Sequence, residues 1–112
     1  ILIVEDEPHL CLLYESALAR AGYETLTAQD ATVGLELART MDPDLIVLDL
    51  RMPGLDGLDV IQRLRNDRND VSIVINTAYN GYLESDLAAE ADACLLKSSD
   101  VTKLVDTVDA LT

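Results

Sequence analysis

Apolar residues along the chain fall into short runs separated by stretches that repeat at helical spacing. Ile1–Val4, Leu45–Leu48, Val71–Ile75 and Ala93–Leu96 are four or five residues long with few polar breaks. That is the pattern of strands covered on both faces, as in a parallel sheet. A fifth segment, Glu24–Ala28, alternates polar and apolar positions and predicts a half-exposed edge strand.

Between these runs, Pro8 suits the first position of a helix carrying Leu10, Leu13, Ala17, Leu18 and Ala21, with Gly22 as its stop. Asp30 is placed to cap a second helix with Leu35 and Ala38 that ends before Pro43. Asp56 is placed to cap a third with Val60, Ile61 and Leu64. Tyr82–Ala89 reads as a shorter helix, and Val101, Leu104, Val105, Val108 and Leu111 mark the last, capped by Ser99 or Asp100.

Strand and helix therefore alternate five times with short connections, which predicts an α/β fold: a doubly wound parallel sheet with helices on both faces. The length of 112 residues suits one domain, residues 1–112, with one core. Ligands of such folds bind beyond the carboxyl ends of the strands, where strand order reverses.

Composition narrows the function. With 49% hydrophobic and 26% charged residues the chain suits a globular protein and not a disordered one. A net charge of −13 argues against direct contact with nucleic acid, which draws on a surplus of Lys and Arg. The apolar runs fall far short of the roughly 20 residues of a membrane span, and no signal-peptide pattern opens the chain, so a cytoplasmic location is expected. Cys11 and Cys94 read as reduced, buried thiols. Ile1 opens inside a hydrophobic run without an initiator Met, so residues upstream are expected.

The strand ends carry the chemistry. The first run ends in Glu5-Asp6, the third strand in Asp49, the fourth in Thr77 and the last in Lys97, so four strands deliver polar groups to one rim. Singly, each has a structural explanation: an acidic pair can serve a helix dipole, an Asp after a strand a turn, a lone Lys the solvent. Together, three carboxylates repel one another unless a cation or a proton intervenes. Mg²⁺ suits them, because it takes one or two carboxylates, keeps waters and accepts a phosphate oxygen. Asp49 is then a candidate carboxylate nucleophile toward phosphorus. Lys97 would neutralise the phosphoryl oxygens and the Thr77 hydroxyl would donate to one of them.

Ile1-Leu-Ile-Val-Glu-Asp-Glu-Pro8, Pro43-Asp-Leu-Ile-Val-Leu-Asp-Leu-Arg-Met-Pro-Gly-Leu-Asp-Gly57, Asn76-Thr-Ala-Tyr79 and Leu95-Leu-Lys97 closely resemble the receiver domains of two-component response regulators. The motifs come in order and cover essentially the whole chain. The resemblance implies a flavodoxin-like (βα)5 fold with a five-stranded parallel sheet of order 2-1-3-4-5. It implies that Asp49 is the phosphoacceptor and that Glu5 and Asp6 form the acidic pair, with Asp6 the direct ligand. The backbone carbonyl of Arg51 is a further Mg²⁺ ligand by the same resemblance, and Thr77 and Lys97 are the switch hydroxyl and the phosphate-binding lysine. The donor implied is a sensor histidine kinase or a phosphotransfer protein; a linked output domain, a target protein or a second copy as a homodimer would receive the signal. Such a domain is not an enzyme on other substrates and catalyses only its own Mg²⁺-dependent phosphorylation and dephosphorylation.

The chain departs from that family after Thr77. Thr77 and Lys97 stand closer than usual by about two residues, which fits a short fourth helix. Glu90 replaces a helix-ending Gly, Cys94 the switching aromatic residue, and Ser98 the Pro after the lysine. Two other classes fit less well. A phosphatase with an Asp nucleophile carries Asp-x-Asp, and Asp49-Leu50-Arg51 does not. A flavin-phosphate site needs a hydroxyl- or Gly-rich loop after the first strand, where Glu5-Asp6-Glu7-Pro8 would repel phosphate.

Overall fold

The computed structural model describes residues 1–49, 57–67, 70–78, 91–97 and 100–112. Five parallel strands, β1 (Leu2–Val4), β2 (Leu26–Ala28), β3 (Leu45–Leu48), β4 (Ser72–Thr77) and β5 (Ala93–Leu96), form one sheet in the order β2-β1-β3-β4-β5. Four helices are described: α1 (Pro8–Arg20), α2 (Ala31–Met41), α3 (Gly57–Asp67) and α4 (Thr102–Leu111). The helix expected over Tyr82–Ala89 lies outside the described residues, as does the cap expected at Asp56.

Alternation along the strands divides the core in two. Leu2, Val4, Ile46, Leu48, Ile73 and Ile75 pack toward α2 and α3 with Ala31, Ala38, Val60, Ile61 and Leu64. Ile3, Leu45, Val47 and Val74 pack toward α1 and α4 with Cys11, Tyr14, Leu18, Leu104 and Val108. α2 lies against β1 where Gly34 faces Val4: a Cβ there would stand 2.8 Å from Val4 Cγ2.

Helix ends follow the sequence signals. Past α1, Gly22 adopts φ +97°, its N–H donates to Ala19 O and that of Tyr23 to Leu18 O, so two terminal carbonyls are satisfied in a Schellman arrangement. Asp30 Oδ1 accepts from the Val33 N–H at 2.8 Å and caps α2. α2 stops at Met41, with Asp42 in the left-handed region before Pro43. The last helix departs from its signal: its cap position is Val101, with no side-chain cap bond, although Asp100 Oδ1 accepts from the Thr102 N–H at 3.0 Å; Ser99, the other cap expected there, is outside the described residues. Val101, expected inside that helix, precedes it and packs into the core.

Three expectations need correction. Residues of β5 are only partly buried and Leu96 is 46% exposed, so Ala93–Leu96 is a sheet edge and is not covered on both faces. Its continuous apolar run cannot reveal this, because an edge strand and an inner strand read alike when both sides of the alternation are apolar. Cys94, expected buried, is accordingly half-buried, whereas Cys11 is buried as expected and both are free thiols. The Glu24–Ala28 run forms a strand only over Leu26–Ala28, at the opposite edge. Among the described residues no helix is long and apolar enough to cross a membrane.

Candidate functional site

Register brings the acidic residues together. Val4 pairs with Leu48 across β1 and β3, the two strands between which the order of the sheet reverses. The next residues are Glu5 and Asp49, and each is anchored by its own backbone: Glu5 N–H donates to Ala28 O at 2.9 Å and Asp49 N–H to Val4 O at 3.0 Å. On the other side, Thr77 pairs with Leu96, and Lys97 N–H donates to Thr77 O at 2.7 Å. The carboxyl ends of β1, β3, β4 and β5 therefore meet at one rim, as strand-end spacing predicts.

Lys97 closes the set. Its Nζ stands 2.9 Å from Asp49 Oδ2, a hydrogen bond, and 2.6 Å from Glu5 Oε1. The approach to Glu5 is off the hydrogen-bonding direction, so that contact is an ion pair and Glu5 Oε1 remains a buried oxygen with no directed hydrogen bond. Glu5 Oε2 accepts from the Glu7 N–H at 3.2 Å, at the start of α1. Glu5, Asp49 and Thr77 are all buried, whereas Asp6 is partly exposed.

Burial raises the Glu5 carboxyl to about 7, since the nearby Lys97 ammonium and the Glu7 amide offset only part of its desolvation and the Asp49 charge adds to it. For Lys97, burial acts downward, but the two carboxylates outweigh it and hold the ammonium above its ordinary range. Carboxylate oxygens of Glu5, Asp6 and Asp49 lie within 4.8 Å of one another. A hard divalent cation fits this donor set: the ligands are all oxygen, they converge, and a buried carboxylate oxygen lacks a directed partner.

The structure thus brings together the side chains of Glu5, Asp6, Asp49 and Lys97, with Thr77 joined to the rim through its backbone carbonyl. The Arg51 carbonyl, expected as a further ligand, lies outside the described residues, as do Glu90 and Ser98. Sequence reasoning missed two polar residues behind the rim. Asn76 and Tyr14 are buried on the α1–α4 side, and Tyr14 Oη has no hydrogen-bond partner in accepted geometry. The signal for Asn76 was available: a lone amide in the run Val71–Thr77 of an inner strand.

A profile of the family described as response regulator receiver domain matches residues 1–109. The alkaline phosphatase synthesis transcriptional regulatory protein PhoP of Bacillus subtilis is 39% identical over 93 residues, covering 83% of this chain and 39% of its own length. The DNA-binding dual master transcriptional regulator RpaA of Synechocystis is 38% identical over 116 residues, covering 99% of this chain and 48% of its own. The chain spans less than half the length of these relatives. Among solved structures, response regulator protein TrrA of Thermotoga maritima in complex with Mg(2+)-BeF superposes with a TM-score of 0.89 at 33% identity, covering 99% of this chain and 96% of TrrA. A complex of histidine kinase ThkA with TrrA matches with a TM-score of 0.90 at 34% identity, covering 98% of this chain and 95% of the matched one. With its sheet order, its acidic rim and these relatives in agreement, the chain belongs to the response regulator receiver domain family of two-component signalling.

Proposed function

We propose that Asp49 is the phosphoacceptor of this domain and that residues 1–112 act as one phosphorylation-controlled switch. The observation that carries the reading is the position of Asp49, buried, in the acidic cluster and 2.9 Å from the Lys97 ammonium. An Asp49 carboxylate oxygen bonds to phosphorus as the bond from phosphorus to the donor atom breaks, and that bond's electron pair leaves with the donor. Lys97 transfers its contact from Glu5 to the phosphoryl oxygens, and the Thr77 hydroxyl, at the end of β4, donates to one of them. Glu5, Asp6, Asp49 and the Arg51 carbonyl are the residues that would hold Mg²⁺, which when bound supplies charge neutralisation for carboxylates and phosphoryl oxygens.

The donor is a sensor histidine kinase or a phosphotransfer protein, a reading supported by the kinase-bound relative, and a cytoplasmic location belongs to the same proposal. The response goes to a linked output domain, a target protein or a second copy, in line with the greater length of the transcriptional relatives. The net charge of −13 favours an indirect role toward DNA, without direct nucleic acid contact by this domain. The domain catalyses only its own phosphorylation and dephosphorylation. Intact mass spectrometry after incubation with Mg²⁺ and acetyl phosphate tests the assignment: one phosphoryl group on the wild type and none on Asp49→Ala is expected, and equal labelling of both would overturn it.

A further inference from the structure

Tyr14 and Asn76 form a buried polar pair that the chemistry above does not use. Val74 packs toward α1 and α4 while Ile73 and Ile75 pack toward α2 and α3, so alternation puts Asn76 on the α1–α4 side, immediately before Thr77. Tyr14, from the middle of α1, is 2% exposed and reaches the same place. Both residues line a cavity of about 270 Å³ whose walls include Leu95, Val101 and Leu104.

The pair is close but not joined. Burial raises the pKa of the Tyr14 phenol and the Asn76 amide, near enough to act on it as a hydrogen-bonding group, offsets part of that effect, yet the approach falls short of a directed hydrogen bond and leaves Tyr14 Oη without one. A buried hydroxyl without a partner is a net cost to the state that contains it, and Phe would fill the same volume without that cost. A tyrosine here gains its reason if another state of the domain completes the bond.

We propose that Tyr14 is a positioning residue for phosphoryl binding, acting through Asn76 on the Thr77 hydroxyl. Asn76 and Thr77 are consecutive at the end of β4, so a backbone shift that carried Thr77 Oγ1 to a phosphoryl oxygen would also move the Asn76 amide. In the phosphorylated state that amide meets Tyr14 Oη, and the bond formed holds Thr77 in place. An ordered water in the cavity would be the competing account, and it would satisfy Tyr14 equally in both states.

This inference rests on the phosphoacceptor reading, and beryllofluoride with Mg²⁺, a phosphoryl analogue, separates the two. Melting curves without ligand and beryllofluoride titrations followed by ¹⁹F NMR are to be compared for wild type, Tyr14→Phe, Asn76→Ala and the double variant. Tyr14→Phe is expected to melt at or above the wild-type temperature without ligand and to bind beryllofluoride about 2- to 10-fold more weakly, the worth of one hydrogen bond. The double variant is expected to bind no more weakly than the weaker single variant. Unchanged affinity in Tyr14→Phe, or additive losses in the double variant, would overturn the inference while leaving the phosphoacceptor reading intact. A wild type that takes up no beryllofluoride would overturn both.

Discussion

Lys97 Nζ stands 2.6 Å from Glu5 Oε1, and still the Glu5 carboxyl is raised to about 7. Desolvation of a residue that is only 1% exposed thus outweighs an adjacent ammonium. The lysine is a counter-ion shared with Asp49, and each carboxylate receives only part of its neutralising effect.

A pH dependence of stability follows in the metal-free protein. The folded-state value of Glu5 lies above its ordinary 4.5, so the folded form binds more protons than the unfolded one between the two values. The Glu5 contribution is full below pH 4.5 and is lost as pH rises through about 7. Urea denaturation midpoints of the wild type should fall relative to those of Glu5→Gln across this window and run parallel above it. Parallel profiles throughout would contradict the assignment.

Removing Asp6 should separate metal binding from folding. Asp6→Ala deletes one carboxylate from the acidic cluster without opening the core, because Asp6 is partly exposed. Mg²⁺ affinity should fall about tenfold or more, and the metal-free protein should melt at or above the wild-type temperature as repulsion is relieved. A metal-free melting point well below wild type would make Asp6 structural.

The counter-ion role of Lys97 predicts a loss that itself depends on pH. Lys97→Met leaves Glu5 and Asp49 buried beside one another without their ammonium, at a cost of about 2 kcal/mol at pH 8. Below pH 5, where Glu5 is protonated, the loss should shrink. Paired denaturant titrations at the two pH values measure it, and equal losses would show that packing of the lysine stem dominates.

Gly34 is held to glycine by space. Alanine there is better for the helix by up to about 1 kcal/mol, but its Cβ would meet Val4 Cγ2 at 2.8 Å against a stiff, buried side chain in an inner strand. Overpacking of that kind costs about 1–3 kcal/mol, so Gly34→Ala should destabilise by about 1–2 kcal/mol net. A gain in denaturation midpoint would show that α2 can lift from β1 freely.

Most of the frame was legible because it rests on local signals. The four apolar runs locate four strands within a residue or two, Gly22 ends α1, and Asp30 caps α2, each through contacts within a few residues. The rim was legible because strand ends in this topology converge, so Glu5, Asp49, Thr77 and Lys97 could be placed before any contact was seen. What stayed hidden depends on side-chain packing between distant segments. Nothing in the spacing of Glu5 and Lys97 says that the lysine rests on Glu5 as well as on Asp49. The half-exposure of β5 depends on its lying at the sheet edge, and the nearness of Tyr14 to Asn76 depends on how α1 packs on the sheet.

α1 is fastened at both ends. At one, the Glu7 N–H before Pro8 is tied to the Glu5 carboxylate; at the other, beyond Gly22, the Tyr23 hydroxyl is bonded to Asp109 and lies 3.0 Å from Thr112 Oγ1, at the last turn of α4. Its 13 residues make a stiff rod of about 20 Å. Both ties are to groups outside the helix, so α1 is tethered to the acidic rim at its start and to the end of α4 just past its close. A change in the Glu5 carboxylate therefore bears first on the opening turn of α1, the end of the helix that lies at the rim.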